Sequence, residues 1–205
     1  MRIIGYLFII AVFLITVLFN GCTGKQDDDD ADDVADDDDS GDDDSGDDDD
    51  SGDFTCEAAV CTDSISGLMW QKGDDCCYQW EDAVEYCENL SWGGFGDWRL
   101  PTISELRSLI RGCDATQTGG SCGVADGCLA SGCLNSACEG CKEFDGPADG
   151  CYWPSQLNGE CGWSCSSWSS SPVADYDGRV WCVGFSCGLV FYYHVYHDYR
   201  VRCVR

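Results

Sequence analysis

The sequence is poor in positive charge: Lys and Arg together number 11 against 38 Asp and Glu, a formal net charge of −27. Such a chain repels phosphate backbones and anionic lipid headgroups, which argues against nucleic acid or a charged bilayer surface as a partner. Histidine is nearly absent as well, with only His194 and His197 in the chain. Imidazole chemistry is therefore confined to one place, beside Asp198. Tyrosines surround that place between two expected strands, so a turn or an exposed sheet edge is the expected reading. There is no Gly-X-Y stretch that would trimerise the chain as collagen does.

The acidity is unevenly spread. Eighteen of the acids are aspartates between Asp27 and Asp53, which leaves 20 acids against nine bases over Phe54–Arg205, or −11. Residues 26–53 are blocks of Asp split by Ala, Val or Ser-Gly. No apolar period exists there, so neither a core nor an amphipathic helix forms, and like charges push the chain apart. The 31 residues that follow Cys22 before the domain reach at most roughly 100 Å at ~3.4 Å each. Carboxylate oxygens also suit Ca2+, but the fixed Gly and Glu positions of a calcium loop are missing. A solvated spacer is the expectation, with no resident cofactor.

Ahead of the spacer, Met1-Arg2 leads into the apolar run Ile3 to Phe19 and then Asn20-Gly21-Cys22. A basic start, an apolar segment and small residues describe a secretory signal over residues 1–21. "LFNGC" resembles a lipobox, in which cleavage falls before a cysteine that has received diacylglycerol; Phe19 stands where Leu is usual. The alternative is an uncleaved anchor, although 17 apolar residues fall short of the roughly 20 that span a bilayer. Acyl chains on Cys22 would hold the chain to the lipid bilayer. Thr23 in the next place resembles outer-membrane sorting. The expected product is a cell-envelope lipoprotein: residues 22–53 are lipidated Cys and tether, and residues 54–205 form one domain facing the surface or the periplasm.

Eighteen cysteines in an exported chain imply disulfides rather than thiol chemistry. Without Cys22 the count is odd. The adjacent Cys76 and Cys77 are expected to take different partners. Cys138 and Cys141 form a CxxC, and Cys161 and Cys165 lie four apart, spacings that zinc also uses; oxidation outside the cytoplasm favours bridges. No metal site is expected.

Three landmarks organise the domain. Gly67–Gln71 reads as a short strand, and Trp80, Ala83, Val84, Cys87 and Leu90 then give a helical stripe over residues 80–90. In "DWRLPT", Thr102 and Glu105 form a capping-box pattern after Pro101, starting a helix expected over residues 103–111 that buries Leu106, Leu109 and Ile110. Arg99 reads as an ion-pair residue for Glu105 or another carboxylate. Near the end, Val180–Phe185 and Leu189–Tyr193 are β-branched and aromatic runs split by Ser186-Cys187-Gly188, which reads as a hairpin. Cys182 and Cys187 bracket it and are expected to join. Tyr199–Arg205 alternates as a last strand, with Val201, Cys203 and Val204 as its less polar members. Between lies residues 113–165, with nine cysteines and little periodicity, an insertion that disulfides must order.

The series GLMWQ, WEDAVEYC, WRLPTISEL, WSSSPV and a terminal VRCVR resembles a bacterial family of unknown function, named for the C-terminal domain of a collagen-like adhesin (Lcl). The resemblance covers roughly residues 61–205. It implies an α+β, C-type-lectin-like fold: two helices with a small twisted antiparallel sheet, and a long disulfide-stapled loop insertion as the ligand face. It also implies a bridge from Cys87 to Cys203, between the first helix and the last strand. "RLPT…E" resembles the formylglycine-generating enzymes too, which bind copper through paired cysteines near the chain end; Cys182 and Cys187 are the candidates on that reading. No catalysis is expected, because those two bracket a hairpin.

Ligand binding is the expected activity. Tyr152, Trp153, Trp163, Trp168 and Tyr176 lie in or beside the insertion, and aromatic faces stack on sugars. Asp175 and Asp177 of "ADYDG" offer oxygens to hydroxyls or to calcium. The bland alternative is that the aromatics fill a small core and "DYDG" is a turn. The adhesin relative is associated with sulfated glycosaminoglycans; this acidic domain departs from that. An extracellular glycan or protein is the expected partner, a purely structural, protease-resistant envelope protein the alternative, and a formylglycine-type oxidase a distant third.

Overall fold

The computed structural model describes residues 54–162 and 166–205. The expected signal, Cys22, the tether, Trp163 and Cys165 lie outside the described residues.

Among the described residues, eight strands and two α-helices follow in chain order: β1 Phe54–Glu57, β2 Val60–Asp63, β3 Met69–Gln71, β4 Asp75–Tyr78, α1 Trp80–Glu88, α2 Ile103–Arg107, β5 Ser167–Pro172, β6 Arg179–Gly184, β7 Leu189–His194 and β8 Tyr199–Val201. The strands make a three-stranded antiparallel sheet, β1-β2-β3, and a five-stranded sheet in the order β4-β8-β5-β6-β7. The larger sheet is mixed, because β8 runs parallel to β5 at Ser167–Arg200 and antiparallel to β4. The architecture is α+β, as the sequence suggested, but richer in strand and with two sheets in place of one small antiparallel sheet. The chain end joins the two sheets: Val204 bridges to Trp70 of β3 and to Arg99.

Both helices begin where their sequence signals place them and end sooner. In α2 the Thr102 hydroxyl accepts the Glu105 amide, while the Glu105 carboxylate accepts the Thr102 amide at 2.8 Å. Those bonds satisfy amides that helix geometry leaves open. The helix stops at Arg107, and Ser108 caps it; Leu109 and Ile110 are buried from the turns that follow.

The five-stranded sheet is covered on both faces. In the β6–β7 register, Trp181 faces Tyr192 and Val183 faces Val190. That side packs with Ile103 and Leu106 of α2, with Trp70 and with insertion residues. The opposite side carries Val180, Cys182, Phe191 and Tyr193, and packs with Trp168, Tyr199, and Ala83 and Cys87 of α1. Alternating side chains on a strand reach opposite faces, so a sheet covered twice reads as near-continuous apolar sequence; VWCVGF is such a run. Cys87 is joined to Cys203, which fixes α1 to the chain end.

The insertion is ordered by bridges and by backbone docking. Its disulfides are Cys113–Cys141, Cys122–Cys138, Cys128–Cys133 and Cys151–Cys161. The CxxC is thus split between two bridges. The amides of Cys141, Phe144 and Tyr152 donate to the carbonyls of Cys187, Ser186 and Phe185 at 2.7, 2.7 and 2.8 Å, laying the segment along the β6–β7 turn. Gly140 has φ +85°, and a Cβ there would collide with the Cys187 carbonyl.

Two buried arginines satisfy carbonyls that a loop without ladders leaves open. Arg107 of α2 donates to the carbonyls of Thr116, Gln117 and Val124 in the insertion. Arg202 donates to those of Gln71, Lys72 and Asn158 at 2.7–3.0 Å, tying the insertion at Asn158 to the end of β3. Burial, with Arg200 adding to it, pushes the Arg202 guanidinium down to about 10 despite the opposing pull of Asp74. Strand alternation predicts Arg202 on the polar side of the last strand; the structure instead has it 1% exposed, because the insertion closes over that side.

Candidate ligand-binding face

The aromatic residues nominated in the sequence separate into buried and exposed. Trp168 has no exposed surface; its indole N–H donates to the Tyr78 carbonyl at 2.8 Å and its ring tilts against Tyr199. Trp153, 3% exposed, is held between the Arg202 guanidinium and Phe185. Tyr152 is equally buried, and its hydroxyl donates to the Lys142 carbonyl at 2.7 Å. These three are core residues and not stacking platforms. For Tyr152 and Trp153 the reason is supply: a segment rich in Gly, Cys and Ser has few other side chains with which to fill the space above the sheet, whereas Trp168 fills the opposite side beneath α1. Trp153 still contributes to the wall of a concavity of about 460 Å³ with Pro147, Asp149, Leu157, Asn158 and Gly159.

Two cysteine expectations are corrected as well. Cys182 is a buried free thiol, not bonded to Cys187. In the register it stands opposite Phe191, on the face packed by α1, while Cys187 lies in the turn beyond β6, itself disulfide-bonded elsewhere. Burial drives the Cys182 thiol far above its ordinary range, the reverse of a reactive cysteine. Cys76 and Cys77 are bonded to each other. They lie exposed on β4, at the outer edge of the sheet. The one neighbouring strand leads to Cys203, which Cys87 already holds.

What remains at the surface is the turn from β5 to β6. Asp175 accepts the amide and the hydroxyl of Ser131 at 2.5 and 2.9 Å, bonds that hold its carboxyl below the usual carboxylate range. It therefore ties the turn to the insertion. Past it, Asp177 is exposed and Tyr176 is 49% exposed. The Tyr176 ring lies 6.1 Å from that of Tyr192 and carries the Arg179 guanidinium 5.2 Å from its centroid. His194 pairs with Arg179 across the β6–β7 ladder, and its ring touches that of Tyr196, which is 72% exposed. Tyr176, Arg179, Tyr192, His194 and Tyr196 thus line one end of the edge strand. Alternation along β7 was the available signal for Tyr192 and His194; Arg179 carried none, since only the register sets it beside them.

His194 and His197 lie at the end of β7 and in the following turn, each against tyrosine rings. Among the described residues no group of three His, Cys, Asp or Glu is arranged to hold a metal ion. None of their helices is long and apolar enough to cross a membrane.

An α+β domain with a disulfide-stapled insertion and an aromatic sheet edge is the class that this geometry defines. Residues 59–205 match the family model described as the Lcl C-terminal domain, and the chain belongs to that family. No curated protein and no solved structure matches the chain.

Proposed function

We propose that the chain is a non-catalytic cell-envelope lipoprotein, anchored in the outer membrane through acylated Cys22, that presents a glycan-binding domain on a poly-aspartate stalk. The domain is read as a C-type-lectin-like variant, with the sheet edge at Tyr176 as its binding face. The single observation that carries the reading is exposed Tyr176 lying against half-buried Tyr192 on a disulfide-stapled scaffold. Aromatic rings fixed by packing offer flat apolar surface at low entropic cost, and sugars present matching C–H faces. The non-catalytic reading is supported by Cys182 being a buried thiol and Cys187 being bonded elsewhere.

Glycan-array binding by the purified full chain tests this proposal. Binding that Tyr176→Ala removes, with an unchanged melting temperature, is the expected result; silence on every array overturns it. The density of bridges favours a second reading, a protease-resistant structural envelope protein, and silence on arrays and in pull-downs supports that reading.

A further inference from the structure

The glycan reading leaves the chemistry of the sugar open, and Arg179 bears on it. The domain holds seven arginines in a net charge of −11. Six are engaged. Arg99 pairs with Glu105, Arg200 with Asp74 and Glu160, and Arg205 with Asp97. Arg107, Arg111 and Arg202 donate to backbone carbonyls. Arg179 does neither: among the described residues its guanidinium has no carboxylate or carbonyl partner, and it lies over the face of Tyr176. Its Nε–H is buried without an acceptor, while its terminal nitrogens are neither buried nor bonded.

An unpaired guanidinium beside an exposed aromatic shelf is unusual in so acidic a domain, where carboxylates outnumber bases by more than two to one. Asp175, which is near in sequence, is occupied by Ser131. We infer that Arg179 is the counter-charge for a ligand carboxylate, so that the sugar bound at this face bears a single carboxyl group, as a terminal uronic acid does. This rests on the glycan reading and narrows it. The planar fork of a guanidinium matches a carboxylate in a bidentate pair, which a hydroxyl cannot equal. One positive charge, two residues from exposed Asp177 in a domain of net charge −11, accommodates one anion. The same surroundings repel a polyanionic chain.

The test compares three probes on the immobilised full chain at physiological salt: an oligosaccharide ending in a uronic acid, the same oligosaccharide with that carboxyl reduced to an alcohol, and heparin. The acid form is expected to bind at least about tenfold more tightly than the reduced form, the scale of one charge-assisted pair. Arg179→Gln is expected to erase that preference while leaving the weaker binding of the reduced sugar, and Arg179→Lys to restore only part of it. Circular dichroism and a melting curve confirm that each variant is folded. Equal binding of acid and reduced forms, a preference that survives Arg179→Gln, or tighter binding of heparin overturns the inference and leaves the glycan reading standing. Binding of none of the three overturns the inference, while the glycan reading falls only with silence on every array.

Discussion

Arg202 shows how little a residue's own chemistry says about where it ends up. Its place in the alternating VRCVR tail marks it for solvent, yet it is buried over Trp153 and serves three carbonyls from two distant segments. Arg202→Ala leaves those acceptors buried and empty and is expected to cost about 3 kcal/mol or more, read by urea denaturation. Glu105 is the opposite case, legible because its partners are local. Burial raises its carboxyl, but the hydrogen bonds from Arg99 and from the Thr102 amide outweigh that and hold it below its ordinary 4.5. A carboxyl depressed by folding contributes stability above its unfolded value, and that contribution is lost as pH falls through the folded value. Glu105→Gln is therefore expected to lower the melting temperature at pH 7 and to leave it unchanged near pH 2, well below that ordinary value. The buried fates of Trp153 and Trp168 were not legible. Which aromatic fills a core depends on what else is available to fill it, and that is settled by the fold and not by the residue.

At the scale of elements, the signals that survived were those with a full period or a cap. The helical stripe of α1, the Thr102–Glu105 box and the β6–β7 hairpin all appear where residues 80–90, 102–105 and 180–193 place them. Strands β1, β2 and β4 have four residues each, too few for alternation to register. The insertion's path was illegible for a related reason: it follows the backbone of the β6–β7 turn through amide donors, and backbone bonding leaves no side-chain pattern. Gly140 is the point of closest approach. Gly140→Ala meets both a left-handed φ and the Cys187 carbonyl. It is expected to cost at least ~1–2 kcal/mol and to speed hydrogen exchange over residues 141–152 ahead of the rest of the sheet, as mass spectrometry of the exchanged peptides would show.

For the whole molecule, the bridges divide by reach. Most close short loops, between 5 and 28 residues apart, but Cys87–Cys203 spans 116. Loop-closure entropy grows with span, so its loss is expected to cost the most, roughly 2–5 kcal/mol for a native bridge. The paired variant Cys87→Ser, Cys203→Ser is therefore expected to unfold at lower temperature than one lacking Cys128 and Cys133, as calorimetry under oxidising conditions would register. Acidity and cysteine density were readable from composition; the pairing pattern was not, because connectivity depends on which sulfurs the fold brings within reach. We propose an exported, lipid-held scaffold whose sulfurs are oxidised while one, Cys182, is sealed away. Non-reducing peptide mapping of native protein taken from a membrane fraction tests it most directly. The predicted map has acylated Cys22 at the mature start, Cys87 linked to Cys203, and Cys182 as a thiol alkylated only after denaturation. Reduced thiols throughout the native domain, with an intact unacylated start at Met1, would contradict it.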